Sequence, residues 1–599
     1  MGAAPRTLAD LVFHIRDGLP ARPDLLAIKR RGKVETWSTA RFLGEIHAAA
    51  LGLEGRGLRR GDRLAIYAEN CPEWHALDFA CQLLGVVSVP LYPTLPPAQV
   101  GGILRDAQAT AIAYSDAEKY DVLSEARDLA RPSLLIAIED PARSSEPGVV
   151  AWHELIAEGE PRRARADLDS LAGRVASEDL ASLIYTSGTG GDPKGVELTH
   201  RAFVANFLAV ASLFTLGPAD LALSFLPLSH VFERTADHLF FYLGVPIHYV
   251  PAVERVPPAL LDVRPTVLPS VPRLYERAYL KIQSQLGKEK PARRKLFAWA
   301  LRAGKRALGR REAGKGVGPL LGVQEALASR LVFRKVRARF GGRLRFAISG
   351  GAPLAREVGE FFNAMGVTIY QGYGLTETAP VLTVNHPRAH RLGSVGKALP
   401  GVEIAVAPDG EILAKTPALM RGYWGKPAAS REAIDGEGWF HTGDIGHLDR
   451  DGFLFITDRK KDLLVTSGGK NIAPQPIEEA LVSSGAVVQA VAVGDRYPYV
   501  TALLVPNHEL LGAELGIDDP AALAADPRAE ARLQAVVEGV NRKLAEHERI
   551  RRFRILPREL TVASGELTPT LKLRRRAIAE RYADTIASMY LKSQRLDGE

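Results

Sequence analysis

A glycine-rich segment directly after an apolar run constrains this chain more than any other feature. Residues 180–185 are apolar β-formers bounded by Glu178 and Asp179, which predicts a buried strand. The ten residues that follow, 186–195, contain three hydroxyl side chains, four glycines and Lys194. Glycines let consecutive backbone N–H groups converge on one anion, while hydroxyls and a lysine add further donors. The segment therefore predicts a strand that leads into a polyphosphate-binding loop.

The flanking residues narrow this interpretation. Pro193 and Gly195 stand on either side of Lys194, whereas a Walker loop has glycine before the lysine and serine or threonine after it. An ordinary flexible connection between strands is the alternative, because many Gly/Ser/Thr runs are no more than that. If the loop does bind phosphate, its ligands come from six residues: Thr186, Ser187, Gly188, Thr189, Gly190 and Lys194.

Length and cysteine content set the broad class. A chain of 599 residues is too long for a single core, and we expect about two to four folding units. Its two cysteines, Cys71 and Cys81, have no metal-binding or redox spacing, which favours a reducing compartment. Charged residues interrupt the first thirty or so positions, so we expect no secretory signal. These observations predict a cytoplasmic protein.

One uncharged run, residues 79–104, is long enough to suggest a membrane span. Four prolines interrupt it, at positions 90, 93, 96 and 97, and we therefore expect a buried helix, a strand and a turn there.

The positive charge is concentrated in one segment. The net charge is +8, and residues 288–315 contain eleven Lys or Arg and two Glu. The rest of the chain is therefore close to neutral, which gives little support to a general nucleic-acid-binding role. The segment has helical periodicity, with Leu296, Phe297, Ala300, Leu301 and Leu308 on one side and Arg302, Lys305 and Arg306 on the other. It predicts either a surface helix packed on the main domain or a contact with an anionic membrane.

The first 175 residues alternate helical and strand patterns. Residues 61–67 predict a turn entering a strand, 72–84 a helix and 86–91 a further strand. Such alternation is typical of an α/β layered domain with largely parallel sheets. After the glycine-rich loop, Thr199 is placed to cap a helix over residues 200–213.

Two further predicted strands each end in glycines. Residues 344–348 precede Ser349-Gly350-Gly351-Ala352, and residues 367–370 precede the run Gln371 to Thr378. Glycine after a strand allows the backbone to approach a flat ligand, and a neighbouring aromatic side chain can stack on a base. Threonine and glutamate suit phosphate and a hard cation. Two ordinary turns are the alternative, but after a polyphosphate loop they favour a nucleotide site.

A last set of polar segments lies in the carboxyl-terminal third. Residues 438–444 end in Asp444, residues 458–462 include Arg459 and Lys461, and residues 565–572 end in Lys572. A carboxylate and a guanidinium can both hydrogen-bond to a ribose. Residues 463–466 and 486–493 predict strands between helical segments, consistent with a small α+β domain.

These segments, in this order, resemble the adenylate-forming (AMP-binding) superfamily. Residues 438–462 resemble the signature segment of its fatty acyl-CoA synthetases, and residues 226–234, 264–274 and 568–572 resemble the long-chain branch of these enzymes. The resemblance covers nearly the whole chain. It implies a large multi-layer α/β domain over residues 1–457, with mostly parallel sheets and a basic helical insertion near 284–330. It also implies a small α+β lid over residues 458–599, which turns about a hinge at Lys461.

The resemblance also implies roles for individual residues. The backbone of Gly350 and Gly351 would sandwich the adenine with Tyr373, and Asp444 and Arg459 would contact the ribose. The other residues expected to bind the nucleotide are Ala352, Gln371, Gly372 and Gly374. Thr376 would contact the α-phosphate, Glu377 would bind magnesium, and Gly469 would line the pantetheine path. His230 would lie beside the acyl carboxylate, and Lys572 would be the catalytic lysine. Thr570 and Leu571 depart from the Ser-Gly that the superfamily usually has before that lysine.

The activity implied is ATP- and Mg²⁺-dependent ligation of a long-chain fatty acid to coenzyme A through an acyl adenylate. A fatty acyl-AMP ligase and a medium-chain or aryl acyl-CoA ligase are alternatives within the enzyme class. The uninterrupted run of residues 458–470 argues against the first of these, since such ligases carry an insertion after the hinge. The alternative outside the enzyme class is a non-catalytic protein that binds a lipid surface. Fatty acid, ATP and coenzyme A are thus the expected small-molecule partners, with no nucleic acid. A peripheral contact at the inner face of the membrane would run through residues 288–315.

Overall fold

A computed structural model describes residues 4–126, 132–139, 146, 148–164, 166–171, 173–186, 193–467, 470–568 and 572–590. The strands, in chain order, are β1 (Leu26–Arg30), β2 (Lys33–Trp37), β3 (Arg63–Tyr67), β4 (Val87–Pro90), β5 (Ala111–Tyr114), β6 (Leu134–Ala137), β7 (Val149–Ala151), β8 (Leu180–Thr186), β9 (Lys194–Thr199), β10 (Ala222–Ser224), β11 (Ile247–Tyr249), β12 (Val267–Ser270), β13 (Phe346–Ser349), β14 (Ile369–Gly374), β15 (Val381–Val384), β16 (Lys397–Ala398), β17 (Glu403–Val406), β18 (Glu411–Lys415), β19 (Phe440–Leu448), β20 (Leu454–Arg459), β21 (Leu464–Val465), β22 (Asn471–Ile472), β23 (Val487–Val493), β24 (Val500–Pro506) and β25 (Ile550–Ile555).

The helices, in the same order, are α1 (Leu8–Phe13), α2 (Thr39–Gly55), α3 (Pro72–Leu84), α4 (Pro97–Asp106), α5 (Ala117–Ala126), α6 (Trp152–Arg163), α7 (His200–Ala211), α8 (Val231–Leu243), α9 (Val256–Val263), α10 (Pro272–Lys288), α11 (Pro291–Glu312), α12 (Pro319–Ala328), α13 (Arg334–Arg339), α14 (Arg356–Ala364), α15 (Pro427–Ala433), α16 (Pro474–Ser483), α17 (His508–Leu515), α18 (Pro520–Ala525), α19 (Pro527–Asn541), α20 (Arg575–Arg581) and α21 (Ala583–Ser588).

Two large sheets form the amino-terminal part. One has nine strands in the order β16-β15-β14-β13-β12-β10-β11-β1-β2, and the other has seven in the order β7-β6-β5-β3-β4-β8-β9. The strands from β14 to β1 run parallel in the first sheet, and those from β7 to β8 run parallel in the second. Antiparallel strands occur only at the edges: β2, β15, β16 and β9. The predicted α/β class with mostly parallel sheets is confirmed.

The largest apolar core lies between these sheets. Every residue of α3 is buried, because this helix packs against strands of both sheets. The sequence explains its ends, since Pro72 occupies the first turn and Gly85, at φ 69°, ends the helix in the left-handed conformation. The uncharged run 79–104 folds into the end of α3, then β4 and α4, as predicted, and no described helix combines the length and apolarity that crossing a bilayer requires.

Smaller sheets follow. Strands β17 to β20 form a four-stranded antiparallel sheet, and beyond it a two-stranded and a three-stranded sheet belong to the carboxyl-terminal part. The three-stranded sheet pairs β23 with β24 antiparallel and β24 with β25 parallel, and α16 and α19 cover it. The predicted small α+β domain is therefore present.

The basic segment forms α11, but its two sides differ from the prediction. Ala300, Ala303 and Ala307 are buried against α14, while Leu296 stays 40% exposed. Lys305, predicted on the solvated side, is half-buried and pairs with Glu360 of α14 at 2.9 Å. Small residues allow the two helices to approach closely, so packing on α14 accounts for much of the periodicity.

Candidate active site

The parallel strands of both sheets end near one large cavity. Its volume is about 770 Å³, and its walls come from the carboxyl ends of β8 and β14, from residues along β12 and β13, from α7 and α8, and from the carboxyl-terminal part of the chain. Open α/β sheets bind ligands at the carboxyl ends of their strands, where connecting loops face solvent.

The predicted site residues fall into three groups. Those that line the cavity are Thr186, Lys194, His230, Gly350, Gly351, Gly372, Tyr373, Gly374, Thr376, Glu377, Arg459, Lys461 and Lys572. Those that are described but do not line it are Ala352, which is exposed, and Gln371 and Asp444, which are buried. Those that lie outside the described residues are Ser187, Gly188, Thr189, Gly190 and Gly469.

The strand ends explain why glycine is required in β14. A Cβ on Gly374 would lie 1.8 Å from the carbonyl oxygen of Pro380, so only glycine fits where β14 meets the turn into β15. This close approach positions the short 3₁₀-helix Thr376–Thr378, and with it Thr376 and Glu377, on the cavity wall.

Asp444 joins Tyr373 and Arg459 through its two carboxylate oxygens. The Tyr373 hydroxyl donates to Asp444 Oδ2 at 2.7 Å, and Arg459 forms an ion pair with the same carboxylate, with Nε 2.9 Å from Oδ1. Asp444 raises the pKa of the Arg459 guanidinium, which therefore keeps its positive charge. Asp444 and Arg459 are opposite each other in the β19–β20 register, so the sheet itself fixes this pair. The predicted ribose pair is thus held together at the edge of the cavity.

His230 is the residue that caps the amino terminus of helix α8, and it is neutral. Its Nδ1 accepts the Phe232 backbone N–H at 3.1 Å, which caps the helix and leaves the proton on Nε2. Burial, with a smaller contribution from the positive charge of Lys572, lowers the pKa of His230 to about 4. The ring therefore offers the cavity one neutral N–H donor across the physiological range of pH.

Lys572 reaches the same cavity from the carboxyl-terminal part. Desolvation by the surrounding protein and the nearby charge of Arg459 lower the pKa of Lys572 to about 8, against the opposing effect of Asp444 and Glu377. Its backbone N–H donates to Thr568 Oγ1 at 3.0 Å. The ammonium of Lys572 is thus less stable here than in water, and an arriving anion would stabilise it.

Tyr423 is a site residue that sequence reasoning missed. Its hydroxyl donates to Glu377 Oε1 at 2.9 Å, and the Lys194 ammonium lies 4.7 Å from the centre of its ring. One side chain therefore orients both the predicted metal ligand and the predicted phosphate lysine. Tyr423 follows Glu377 by 46 positions in an unremarkable glycine-containing run, so no spacing rule could have connected the two.

Glu377 has the chemistry of a magnesium ligand. Its Oε2 has no hydrogen-bond partner among the described residues, and it lies on the cavity wall with Thr376 and Lys194. A carboxylate oxygen is the kind of ligand that Mg²⁺ prefers. The side chains present therefore fit this ion.

The far end of the cavity is apolar. Between α7, α8 and the nine-stranded sheet its walls are formed by Phe207, Val210, Phe214, Leu216, Leu239, Phe240, Val267, Phe346, Val381 and Val384. Residues on α8 line it from Val231 to Phe240, so the cavity follows that helix for about 13 Å at 1.5 Å per residue. The cavity therefore joins a charged end to a long apolar one.

The comparisons with known proteins agree with this architecture. Residues 16–424 match the AMP-binding enzyme family, and residues 461–594 match the AMP-binding enzyme C-terminal domain. The chain belongs to the AMP-binding enzyme family, which confirms the sequence-based identification.

Two relatives align with nearly the whole chain. It is 36% identical to the long-chain-fatty-acid–CoA ligase FadD15 of Mycobacterium tuberculosis strain H37Rv, over 98% of this chain and 97% of that protein. It is 31% identical to the peroxisomal long chain acyl-CoA synthetase 7 of Arabidopsis thaliana, over 93% of this chain and 82% of the relative.

Solved structures share the fold at lower identity. The anthranilate CoA ligase AuaEII in complex with anthranoyl-AMP superposes with a TM-score of 0.75 at 20% identity, over 98% of this chain and 99% of that one. The adenylation domain of a carboxylate reductase from Mycobacterium chelonae gives a TM-score of 0.78 at 23% identity, over 98% and 91% of the two chains. These two structures support the two-part architecture.

Proposed function

We propose that this enzyme ligates a long-chain fatty acid to coenzyme A, using ATP and Mg²⁺ and passing through an acyl adenylate, with release of AMP and pyrophosphate. The observation that carries the proposal is the shape of the cavity, in which Lys572, His230 and Glu377 lie at one end and a deep apolar extension lies at the other. An adenylate-forming site needs the charged end, and a long alkyl chain needs the apolar one.

The acid would enter with its tail between α7 and α8. The neutral Nε2–H of His230 would donate to the carboxylate at the start of α8, and Lys572 would attract the same group with its positive charge. Burying the tail stabilises the complex by about 0.8 kcal/mol for each methylene removed from water. A long chain therefore gains much more from this cavity than a short one does.

ATP would lie across the carboxyl ends of β8, β13 and β14. Lys194 and Thr376 would hold the phosphates, Gly351 and Tyr373 would border the adenine, and Arg459 with Asp444 would orient the ribose. Mg²⁺, when held by Glu377, neutralises charge on the phosphates. The catalytic contribution of the chain is therefore position and positive charge, since attack of the carboxylate on the α-phosphorus develops negative charge that Lys572 would stabilise.

The second step would need a different arrangement of the lid. The chain passes from β20 to β21 through four residues, with Lys461 exposed at the second of them. We propose Lys461 as the hinge, and residues 458–599 as the unit that turns so that coenzyme A can reach the adenylate. The shortness of this connection favours a CoA ligase over a ligase that stops at the acyl adenylate.

We also propose a cytoplasmic enzyme that touches the inner face of the membrane through residues 288–315. The support is the exposure of Arg302, Arg306 and Arg310 on α11, since each basic residue close to an anionic bilayer contributes about 1 kcal/mol.

An acid panel tests the proposed function. AMP formation is measured with and without coenzyme A, for acids from acetate to palmitate and for benzoate as an aryl acid. We expect AMP formation to depend on coenzyme A and to be fastest with long alkyl chains. Pyrophosphate release without AMP formation, whether or not coenzyme A is present, would favour the acyl-AMP ligase, because that enzyme retains AMP in its acyl-adenylate product. A maximum at benzoate or acetate would contradict the long-chain assignment.

A further inference from the structure

The helical insertion carries an unpartnered apolar row on its outer side. After α11 the chain forms one nearly continuous helix over residues 319–339, made of α12, the π-helical turn Ser329–Phe333 and α13. We call this the outer helix. Leu320, Val323, Leu327 and Leu331 lie on it at intervals of three, four and four residues, with exposures of 75, 59, 46 and 52%. That spacing places them on one face, which we call the apolar stripe.

The opposite face of the outer helix anchors it to the protein. Ala328, Phe333 and Val336 are buried in the core that lies beneath α10, α11 and α14. Glu325 is the only acidic residue in residues 319–339, and it pairs with Arg311 of α11 at 2.7 Å. The stripe is therefore held facing outwards by packing and by an ion pair on the other sides of the helix.

The charges beside the stripe are all positive. Arg330, Arg334 and Lys335 are exposed, and none of them forms an ion pair within the described part of the chain. Helical rotation places Arg330 and Arg334 on one flank of the stripe and Lys335 on the other. Exposed apolar rows on monomeric proteins mark contact surfaces, and a basic border without acids complements a negatively charged surface.

We propose that the apolar stripe docks the enzyme on an anionic lipid bilayer, with the outer helix in the plane of the interface. Leu320, Val323, Leu327 and Leu331 would enter the boundary between headgroups and acyl chains, and the three basic side chains would lie among the anionic headgroups. The outer helix would thus supply the apolar part of the membrane contact, beside the neighbouring basic α11. The benefit of docking, access to fatty acids dissolved in the bilayer, rests on the proposed function, but the binding itself does not.

A fluorescent label reports insertion directly. Cys71 and Cys81 are both buried, so Val323→Cys introduces an accessible thiol that can be labelled selectively with an environment-sensitive dye. Leu448→Cys, at a position 40% exposed outside the outer helix, is the matched control. With phosphatidylglycerol-containing vesicles we expect a blue shift for the label at 323 and none at 448. Vesicles of phosphatidylcholine alone should give a much smaller shift.

Equilibrium binding tests the stripe without a label. The variant Leu320→Gln with Leu327→Gln should co-sediment with the anionic vesicles at least about tenfold less strongly, because two leucines no longer leave water. The control Leu261→Gln with Leu448→Gln removes two exposed leucines elsewhere and should bind as the wild type does. Thermal unfolding of both variants should match the wild type, since the replaced side chains are exposed.

Charge variants separate the outer helix from α11. Replacing Arg330, Arg334 and Lys335 by Gln should weaken vesicle binding more than replacing Arg302, Arg306 and Arg310 does, and high salt should reproduce the loss. Binding that survives the stripe variant, or a label at 323 that stays in water while the protein sediments, would overturn the proposal. A blue shift without vesicles that grows with protein concentration would do the same, by identifying a second copy as the occupant. Because none of these assays uses ATP or an acid, failure of the proposed ligase activity would show separately in the acid panel.

Discussion

The lowered pKa of Lys572 makes the adenylation half-reaction sensitive to alkaline pH. Its ammonium is charged below the pKa of about 8 and loses its proton as the pH rises through that value. If the charged form is required, about nine-tenths of the free enzyme is competent at pH 7 and about one-tenth at pH 9. We therefore expect kcat/KM for adenylation to be level near neutrality and to fall about tenfold for each pH unit well above 8.

The assay is ATP–pyrophosphate exchange with a saturating fatty acid, since it reports adenylation without the thiol of coenzyme A. Lys572→Ala should reduce exchange by about 10²–10³-fold, the usual effect of removing one preorganised donor to a developing charge. Lys572→Arg keeps the charge to a much higher pH, so its residual activity should lack the alkaline fall. His230 should not contribute to the profile above about pH 5, because its pKa of about 4 leaves it neutral there.

Two controls test whether Lys572 is the catalytic lysine: a variant of a lysine outside the cavity, and the thioester-forming half-reaction. Lys470→Ala removes a lysine that does not line the cavity, and it should leave the exchange profile unchanged. Preformed acyl adenylate and coenzyme A should still give acyl-CoA with Lys572→Ala, since the lid would carry Lys572 away before that step. An alkaline fall that persists in Lys572→Arg, or exchange that survives Lys572→Ala, would refute the assignment.

Three further variants test other parts of the site. Lys461→Pro fixes φ at the proposed hinge, so thioester formation should fail while pyrophosphate exchange persists; equal loss of both would exclude the hinge. Tyr423→Phe removes the hydrogen bond to Glu377 and keeps the ring beside Lys194. Mg²⁺ should then bind more weakly, so half-maximal pyrophosphate exchange should require a higher Mg²⁺ concentration; an unchanged Mg²⁺ requirement would count against this role. Ala236→Trp obstructs the apolar end of the cavity from the second turn of α8, so activity should fall more for palmitate than for octanoate; a parallel fall would place the tail elsewhere.

Local patterns predicted much of the fold. The helix predicted over residues 72–84 occurs as Pro72–Leu84, with proline and glycine at its ends, and the strand predicted at 180–185 occurs as Leu180–Thr186. Thr199 caps α7 as expected, accepting the Ala202 N–H at 3.2 Å. Capping, chain breaking and apolar periodicity act over a few residues, so a single sequence reveals them.

The features that the sequence did not predict depend on contacts between residues far apart in the chain. The periodicity of residues 288–315 predicted a helix correctly, but nothing in it could indicate that Ala300 and Ala303 would pack on α14 or that Lys305 would pair with Glu360. The same limit hid the contact of Tyr423 with Glu377. The apolar stripe was not predicted from the sequence for a different reason: apolar residues at helical spacing usually indicate the buried face of a helix.

One buried network explains how the two halves of the site keep their relative position. Arg234 of α8 is fully buried and donates to both carboxylate oxygens of Asp78 at 3.0 and 2.6 Å, and also to Ser182 of β8 at 2.8 Å and to Ser88 of β4 at 2.9 Å. Helix α8 carries His230 and one wall of the apolar end, whereas β8 leads into the glycine-rich loop. A buried pair of this kind adds little stability in itself, but breaking it leaves an uncompensated charge, so alternative placements of α8 against β8 are strongly disfavoured. The geometry that brings carboxylate and phosphate together therefore depends on a contact between residues more than fifty positions apart, which only the folded chain brings into view.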